Sequence, residues 1–296
     1  MNFNKTTPIG DRGVEIAACL FVGAFAVLCL IPFFLVLGSS FTDEVTLARY
    51  GYNIWPRVFS ANAYRLAIRA SDIPSAYRVT IFITVVGTSL SMLFTSAIGY
   101  ALSVRAFRLR GKIAFYLYFT MLFGGGLVAT YLLVARYLNM KNTIWVLIIP
   151  GLLSPFNILI MRNFFSRIPE SLAESARIDG ANEISILFRI IIPISTPGIA
   201  TISLFYALGY WNEWYKVLLY INDSKLYTLQ YLIMRILRQV NYASTLPSNI
   251  TVDIGALPTY SFRMAAIILA IGPVVFFYPF IQKYFVSGLT IGSIKG

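Results

Sequence analysis

The 296-residue chain contains no histidine and only two cysteines, and its 12 acidic residues face 24 lysines and arginines. Each shortage removes a class of chemistry. Without histidine there is no imidazole acid–base pair, and the commonest metal ligand is missing. Cys19 and Cys29 lie in one apolar stretch. Ten helical residues separate them by about 15 Å, far beyond disulfide reach, so they read as two small apolar residues. The phosphate cradle GxxxxGK[ST] is absent, as are GxSxG, HExxH and CxxC. The usual motifs of nucleotide hydrolysis, acyl transfer, zinc hydrolysis and dithiol exchange are therefore missing. Nor is there a basic stripe interleaved with aromatic residues. The net charge of +12 fits loops facing anionic headgroups better than a nucleic-acid surface.

What is present is hydrophobicity. The chain is 58% hydrophobic and 12% charged, with mean hydropathy +0.73, which excludes an ordinary soluble domain of this length. A membrane span needs about 20 largely apolar residues. Six stretches qualify, at 14–38, 76–104, 113–135, 144–161, 195–214 and 263–286. The expected fold is an all-α polytopic membrane protein with six transmembrane helices in one domain, residues 1–296. The first stretch exceeds the roughly 7–15 residue core of a secretory signal and lacks a small-residue cleavage site, so it reads as an uncleaved helix. The cores of the first five spans hold no Asp, Glu, Lys or Arg; Glu213 ends the fifth and Arg263 starts the sixth. Proton- and ion-coupled carriers place such groups within the bilayer, so energy is expected to come from outside the chain.

Short loops carry the orientation signal. Arg105–Lys112 holds Arg105, Arg108, Arg110 and Lys112 without an acid, whereas Arg136–Thr143 holds only Arg136 and Lys141. The first of these loops is expected to be cytoplasmic. Both termini and the loop 162–194 then lie on the same side, with 39–75 and 215–262 outside. In the outer loops Ser60 suits the start of a short helix carrying Tyr64, Ala67 and Ile68. Leu229, Leu232, Ile233, Ile236, Leu237 and Val240 recur at helical spacing opposite Arg235, Arg238 and Gln239, which predicts an amphipathic helix. This helix reads as a lid on the membrane domain or as part of a surface for an external partner. Asn241–Tyr260 reads as a loop. Gly124-Gly125-Gly126 in the third span and Pro273 and Pro279 in the sixth are breakers that serve either packing or hinging.

The loop 162–194 is polar and helix-prone. Pro169 suits a helix start, Glu170 and Glu174 favour its positive end, and Gly180 suits a left-handed stop. Ile184, Leu187, Phe188 and Ile191 predict a second helix, and Pro193 and Pro197 mark re-entry into the membrane. Small Ala173 and Ala176 would let another surface approach, and Glu174, Arg177 and Asp179 would give that contact a register. A connector without a partner is the plainer alternative.

The spacing Glu174, Ala176, Gly180, Ile190, Ile192, Pro193 resembles the EAA loop of binding-protein-dependent ABC importers, with Ser175 in place of the middle alanine and Ile192 in place of a leucine. The tail Gly288–Gly296 is similar to that of maltose-type permeases. Phe123–Leu127, Ile160–Phe165, Tyr210–Trp214 and Tyr278–Phe285 resemble the oligosaccharide branch, which includes alginate permeases. The resemblance covers nearly the whole chain. It implies a multi-pass permease of the bacterial inner membrane that is not itself an enzyme. It further implies a second, homologous permease chain and an ATPase dimer, which binds ATP and Mg. An extracytoplasmic solute-binding protein and a carbohydrate substrate complete the set. Carried over, Glu174, Ala176, Arg177, Asp179 and Gly180 form the ATPase-coupling helix. Ile291, Gly292, Lys295 and Gly296 form a tail that contacts the ATPases. An oligosaccharide is implied, and Arg49, Arg57, Arg65 and Arg69 in the first outer loop leave an acidic one such as alginate open.

Sugars are commonly held by aromatic faces and by amide and carboxylate hydrogen bonds. On that ground Tyr131, Asn157, Tyr206, Tyr210, Asn212 and Glu213 are candidates for the substrate path. Interface anchoring and helix–helix bonding are the alternatives for them. The competing class for the whole chain is a standalone secondary carrier or a lipid-modifying membrane enzyme.

Overall fold

A computed structural model describes residues 9–69, 72–245 and 259–290, with side chains described over 13–68, 72–238 and 260–275. Among these residues the structure is helical, and extended pairing is confined to one isolated bridge between Thr42 and Phe59. The chain divides into two compact units, one of residues 1–71 and 237–271, the other of 72–236 and 272–296. The proposed tail residues Ile291, Gly292, Lys295 and Gly296 lie outside the described residues, as does 246–258 of the expected outer loop.

The first unit begins with α1 (Ile9–Ser40), apolar and outward-facing over most of its length, followed by α2 (Glu44–Tyr50) and α3 (Asn62–Arg69). The Asp43 side chain accepts from Val45 N–H at 3.1 Å and starts α2. Ala63 and Ala67 bury one face of α3, and the Tyr64 hydroxyl meets Ser40 Oγ at 2.8 Å, which ties α3 to the end of α1. Ser60, read as a helix start, accepts from Asn62 N–H at 3.3 Å.

In the second unit α4 (Ile73–Ser103) is unbroken and forms the axis. The third apolar stretch departs from a continuous span. It is split into α5 (Arg110–Leu122) and α6 (Gly126–Leu132), the latter prolonged by a π-turn to Tyr137, and the two halves are bent by 113°. Phe123 is extended and Gly126 has φ +76°, so the triple glycine turns the chain sharply instead of kinking a helix. The fourth stretch is likewise broken, by 53°, between α7 (Trp145–Ile148, running on in 3₁₀ form to Gly151) and α8 (Pro155–Phe165). Ser154 starts α8 with its hydroxyl accepting from Asn157 N–H at 3.4 Å, and Pro155 occupies the first turn.

Next come α9 (Glu170–Ile178), α10 (Glu183–Ile186), a π-turn over Leu187–Ile191 and α11 (Ile192–Ile194). A 90° bend at Ser195 leads into α12 (Thr196–Trp211). Then follow α13 (Tyr215–Tyr220), α14 (Leu229–Thr245) and α15 (Thr259–Thr290). Leu229, Leu232 and Ile233 are buried and Arg235 is exposed, as the amphipathic pattern predicts. Among the described residues two helices are long and apolar enough to cross a membrane, and five spans result if each bent pair counts as one.

α4 packs chiefly on α12 and α8. It meets α12 tightly at Gly87, where an added Cβ would lie 2.7 to 2.9 Å from three atoms of the Tyr210 ring. That ring cannot retreat, because its hydroxyl is bonded on two sides (below). Gly87→Ala should therefore destabilise the protein by about 1–3 kcal/mol through overpacking, seen as a lowered thermal midpoint in detergent. Gly209→Ala on the open side of α12, with nothing within 4 Å, should instead raise the midpoint, by about 0.5–1 kcal/mol of helix preference. Equal midpoints for the two variants would refute the tight contact.

Candidate functional site

The loop between α8 and α12 is built from local signals. Pro169 flanks α9 and Glu170 is its first residue, one position later than Pro169 suggests from sequence. At the other end Gly180 has φ +83°; Gly180 N–H donates to Arg177 O at 3.0 Å and Ala181 N–H to Ala176 O at 2.9 Å. This bond pair closes the last turn and needs a left-handed residue at Gly180. Asn182 then starts α10, its Oδ1 accepting from Ser185 N–H at 2.8 Å.

The faces divide differently from the sequence expectation. Ala173 is buried in the chain's own core and Ala176 packs against it, while Leu172, Glu174 and Ser175 face outward. Ile178 is 86% exposed and Ile184 69%. In the second helix Ile186, Leu187 and Ile191 are buried, but Ile184 and Phe188 are not. The π-turn explains the shift: an extra residue in the turn rotates the buried face away from the regular helical pattern.

Glu183 joins three elements. Its Oε1 accepts from Arg177 Nε at 2.7 Å, and its Oε2 accepts from Arg177 Nη2 at 3.3 Å and from the Tyr100 hydroxyl at 2.6 Å. Arg177 lies in the last turn of α9 and Tyr100 in the last turn of α4. The Arg177 guanidinium, and after it the Tyr100 hydroxyl, hold the Glu183 carboxyl below the usual carboxylate range. A looser pair, Arg105 to Glu170 at 3.6 Å, runs between exposed side chains. A cavity of about 280 Å³ lies beside these groups, lined by Tyr100, Arg105, Arg167, Glu170 and Arg177 among others.

A second cluster forms around the break in the fourth stretch. Tyr206 and Tyr210, four residues apart on α12, point the same way. The Tyr206 hydroxyl meets Thr95 Oγ1 at 2.7 Å and accepts from Ser154 N–H at 3.1 Å. The Tyr210 hydroxyl meets Ser91 Oγ at 3.1 Å and donates to Ile148 O at 3.2 Å. Glu213, 9% exposed, pairs with Lys216 and accepts from its backbone N–H at 2.8 Å. Lys216 Nζ also reaches Leu147 O at 3.5 Å. Tyr131 stacks on Tyr220 with centroids 5.5 Å apart. Asn157 is buried. Asn212 is exposed, donating to Leu208 O at 2.9 Å and accepting from Gln230 at 3.2 Å. Of the six candidate path residues, Tyr206, Tyr210 and Glu213 thus come together at one break, each already engaged within the chain.

Residues 79–291 match the family described as the binding-protein-dependent transport system inner membrane component. The chain belongs to that family. It is 39% identical to "Protein LplC" of Bacillus subtilis over 287 residues, covering 96% of each. It is 40% identical over 279 residues to the same organism's "Polygalacturonan/rhamnogalacturonan transport system permease protein YtcP", covering 93% of this chain and 96% of that protein. Among solved structures it resembles a chain of a bacterial ABC transporter involved in the import of the acidic polysaccharide alginate, with TM-score 0.82 and 28% identity, covering 95% of this chain and 100% of that one. The protein is therefore a multi-pass membrane component of a transport system, and its relatives are transport components.

Sequence reasoning missed Tyr100, Glu183 and Lys216. Glu183 follows Asn182 at the start of a helix, a visible signal, but its partners are 6 and 83 residues away. Lys216 sits one turn from Glu213, a spacing that predicts an ion pair.

Glu183 gains acidity on folding, so its contribution is complete above the unfolded carboxylate value and is lost as pH falls through the folded one. Lowering the pH from about 6 to about 3, across the carboxylate range, should lower the thermal midpoint of the wild type more than that of Glu183→Gln. Parallel curves would refute the linkage. Removing one member of a mostly buried ion pair costs about 3–5 kcal/mol, much of it from the charge left unpaired. Lys216→Met should therefore be more destabilising than the double variant Glu213→Gln/Lys216→Met, a comparison that differential scanning fluorimetry decides.

Proposed function

We propose that this chain is the permease subunit of an ATP-driven carbohydrate importer, forming half of a translocation path with a second, homologous permease chain. In this reading all six apolar stretches cross the membrane as parts of one domain. Both termini and the loop 162–194 face the cytoplasm. There a partner ATPase dimer, holding ATP and Mg, grips α9 and the turn that ends it at Glu174, Ala176, Arg177, Asp179 and Gly180 and contacts the tail at Ile291, Gly292, Lys295 and Gly296. An extracytoplasmic binding protein delivers the solute.

The observation that carries the reading is α9 itself. One face is fastened to the chain's own core through Ala173, and the other leaves Ile178 almost wholly exposed beside a left-handed glycine. An apolar, rigidly terminated face of this kind invites a protein partner. Sidedness is supported by pairing. Tyr100 and Arg105, at and just after the end of α4, bond to Glu183 and Glu170 of the loop expected inside. Asn142, in a loop expected outside, accepts from Asn222 and Asp223 N–H at 3.0 and 2.9 Å in another expected outside.

The substrate class rests on relatives. YtcP is named for polygalacturonan and rhamnogalacturonan, and the matching structure imports alginate. We assign an oligosaccharide, with an acidic one favoured by those two names and by the basic first outer loop. Tyr131 and Asn212 offer surface to such a path, and Asn157 would reach it from a buried position on α8. Tyr206, Tyr210 and Glu213 shape it from behind by holding the broken fourth helix.

The test is Gly180→Val in the complete transporter. A β-branched residue at φ +83° strains the turn by roughly 1–2 kcal/mol or more and crowds the docking face. Membrane insertion should persist, uptake and solute-stimulated ATP hydrolysis should be lost, and Gly180→Asn should keep more of both. Undiminished uptake in Gly180→Val, or solute transport by the purified chain without an ATPase, would overturn the proposal.

A further inference from the structure

We infer that Glu183 is a positioning residue that carries movement of the coupling loop directly into α4, in parallel with the covalent route through α10 and α11 into α12. This inference rests on the ATPase-gripped reading of α9. The covalent route is a poor transmitter on its own. It passes through a π-turn at Leu187–Ile191 and then a 90° bend at Ser195, and π-turns and bends are places where a helix absorbs displacement. Glu183 offers a shorter connection. Its carboxylate takes a two-pronged guanidinium bond from Arg177, on α9, and a hydroxyl bond from Tyr100, on α4. Charge-assisted and bidentate bonds fix direction as well as distance. Tyr100 is a firm anchor, being buried in the core cluster. α4 is unbroken from Ile73 to Ser103, so a shift at Tyr100 is carried along its axis to Thr95 and Ser91, whose hydroxyls meet Tyr206 and Tyr210 of α12. The second apolar helix, and through it the break in the fourth, thus receives the push alongside α12.

The experiment uses the complete transporter in liposomes with its binding protein and solute, and reads transport and ATP hydrolysis together. Glu183→Gln keeps the shape but removes the charge that both donors seek. Tyr100→Phe removes one hydroxyl from a ring that stays packed. Both should lower the number of solutes carried per ATP hydrolysed, Glu183→Gln by about tenfold, the scale of one lost charge-assisted bond. Hydrolysis itself should persist, and Glu183→Asp, which keeps the carboxylate, should retain more of the ratio than Glu183→Gln. An unchanged ratio in Glu183→Gln overturns the inference. So does a proportional loss of both activities with a lowered thermal midpoint in Glu183→Gln and Glu183→Asp alike, because that is a purely structural role. Loss of coupling in Gly180→Val together with full coupling in Glu183→Gln leaves the coupling-loop reading standing and removes only this one.

Discussion

The structure depends on a constraint the bilayer imposes: backbone polar groups removed from water must find partners within the protein. A chain with two broken apolar stretches in its second unit must meet that demand at each break. At the fourth stretch α12 and α13 meet it. Ser154 N–H donates to the Tyr206 hydroxyl, Ile148 O accepts from the Tyr210 hydroxyl, and Leu147 O accepts from Lys216. Each hydroxyl is in turn engaged by α4, through Thr95 and Ser91. Glycine at position 87 lets the two helices come close enough for these bonds to form. The break is therefore a built feature, and the three helices around it form one hydrogen-bonded unit.

The same economy governs the polar loop. α9 has only nine residues, too short to persist alone in water. It is held by a buried alanine on one side, a left-handed glycine at its end and the Glu183 carboxylate that joins it to α4. What remains free is the outward face with Leu172, Ser175 and Ile178. Of the two small residues that the sequence offers to a partner, Ala173 is buried where α9 sits closely on the chain's own core, while Ala176 is only partly buried beside it. The outward face carries the bulkier apolar side chains Leu172 and Ile178, which offer more contact area per residue.

Much of the fold was legible because membrane helices leave a strong imprint. α4 and α12 follow from length and composition, and the face of α14 from its apolar period. Gly180 was readable as a left-handed stop because one residue type and one backbone conformation correspond closely. The polar loop's boundaries were legible for the same reason, since Pro169, Gly180 and the Pro193/Pro197 pair punctuate it. The breaks were less so. Three glycines in a row, or Ser154 before Pro155, signal an interruption without specifying its angle, and whether the halves bend by 53° or 113° depends on what packs against them. The aromatic end of α12 was read as sugar-binding chemistry, but hydroxyl count alone does not distinguish a tyrosine facing a path from one completing a backbone. The partners of Glu183 were not legible for a simpler reason: the second of them, Tyr100, is 83 residues away.

α4 belongs to both polar clusters, and this decides how they can influence one another. Thr95 and Tyr100 are five residues apart, about 7.5 Å along a helix, with no proline or glycine-induced break between them to absorb a shift. A packed interior does not deform continuously; it changes between discrete arrangements. A displacement at Tyr100 that exceeds the play of its bond to Glu183 must therefore either break that bond or move Thr95 and Ser91 with it. Breaking it would leave the buried Tyr100 hydroxyl short of a partner, while the exposed Glu183 carboxylate would keep Arg177; a buried unsatisfied hydroxyl costs about 1–3 kcal/mol. The less costly response is for α4 to move as a body, and the tyrosines that complete the fourth helix must follow. The polar cluster at Glu183 and the break in the fourth stretch are then joined by one rigid element.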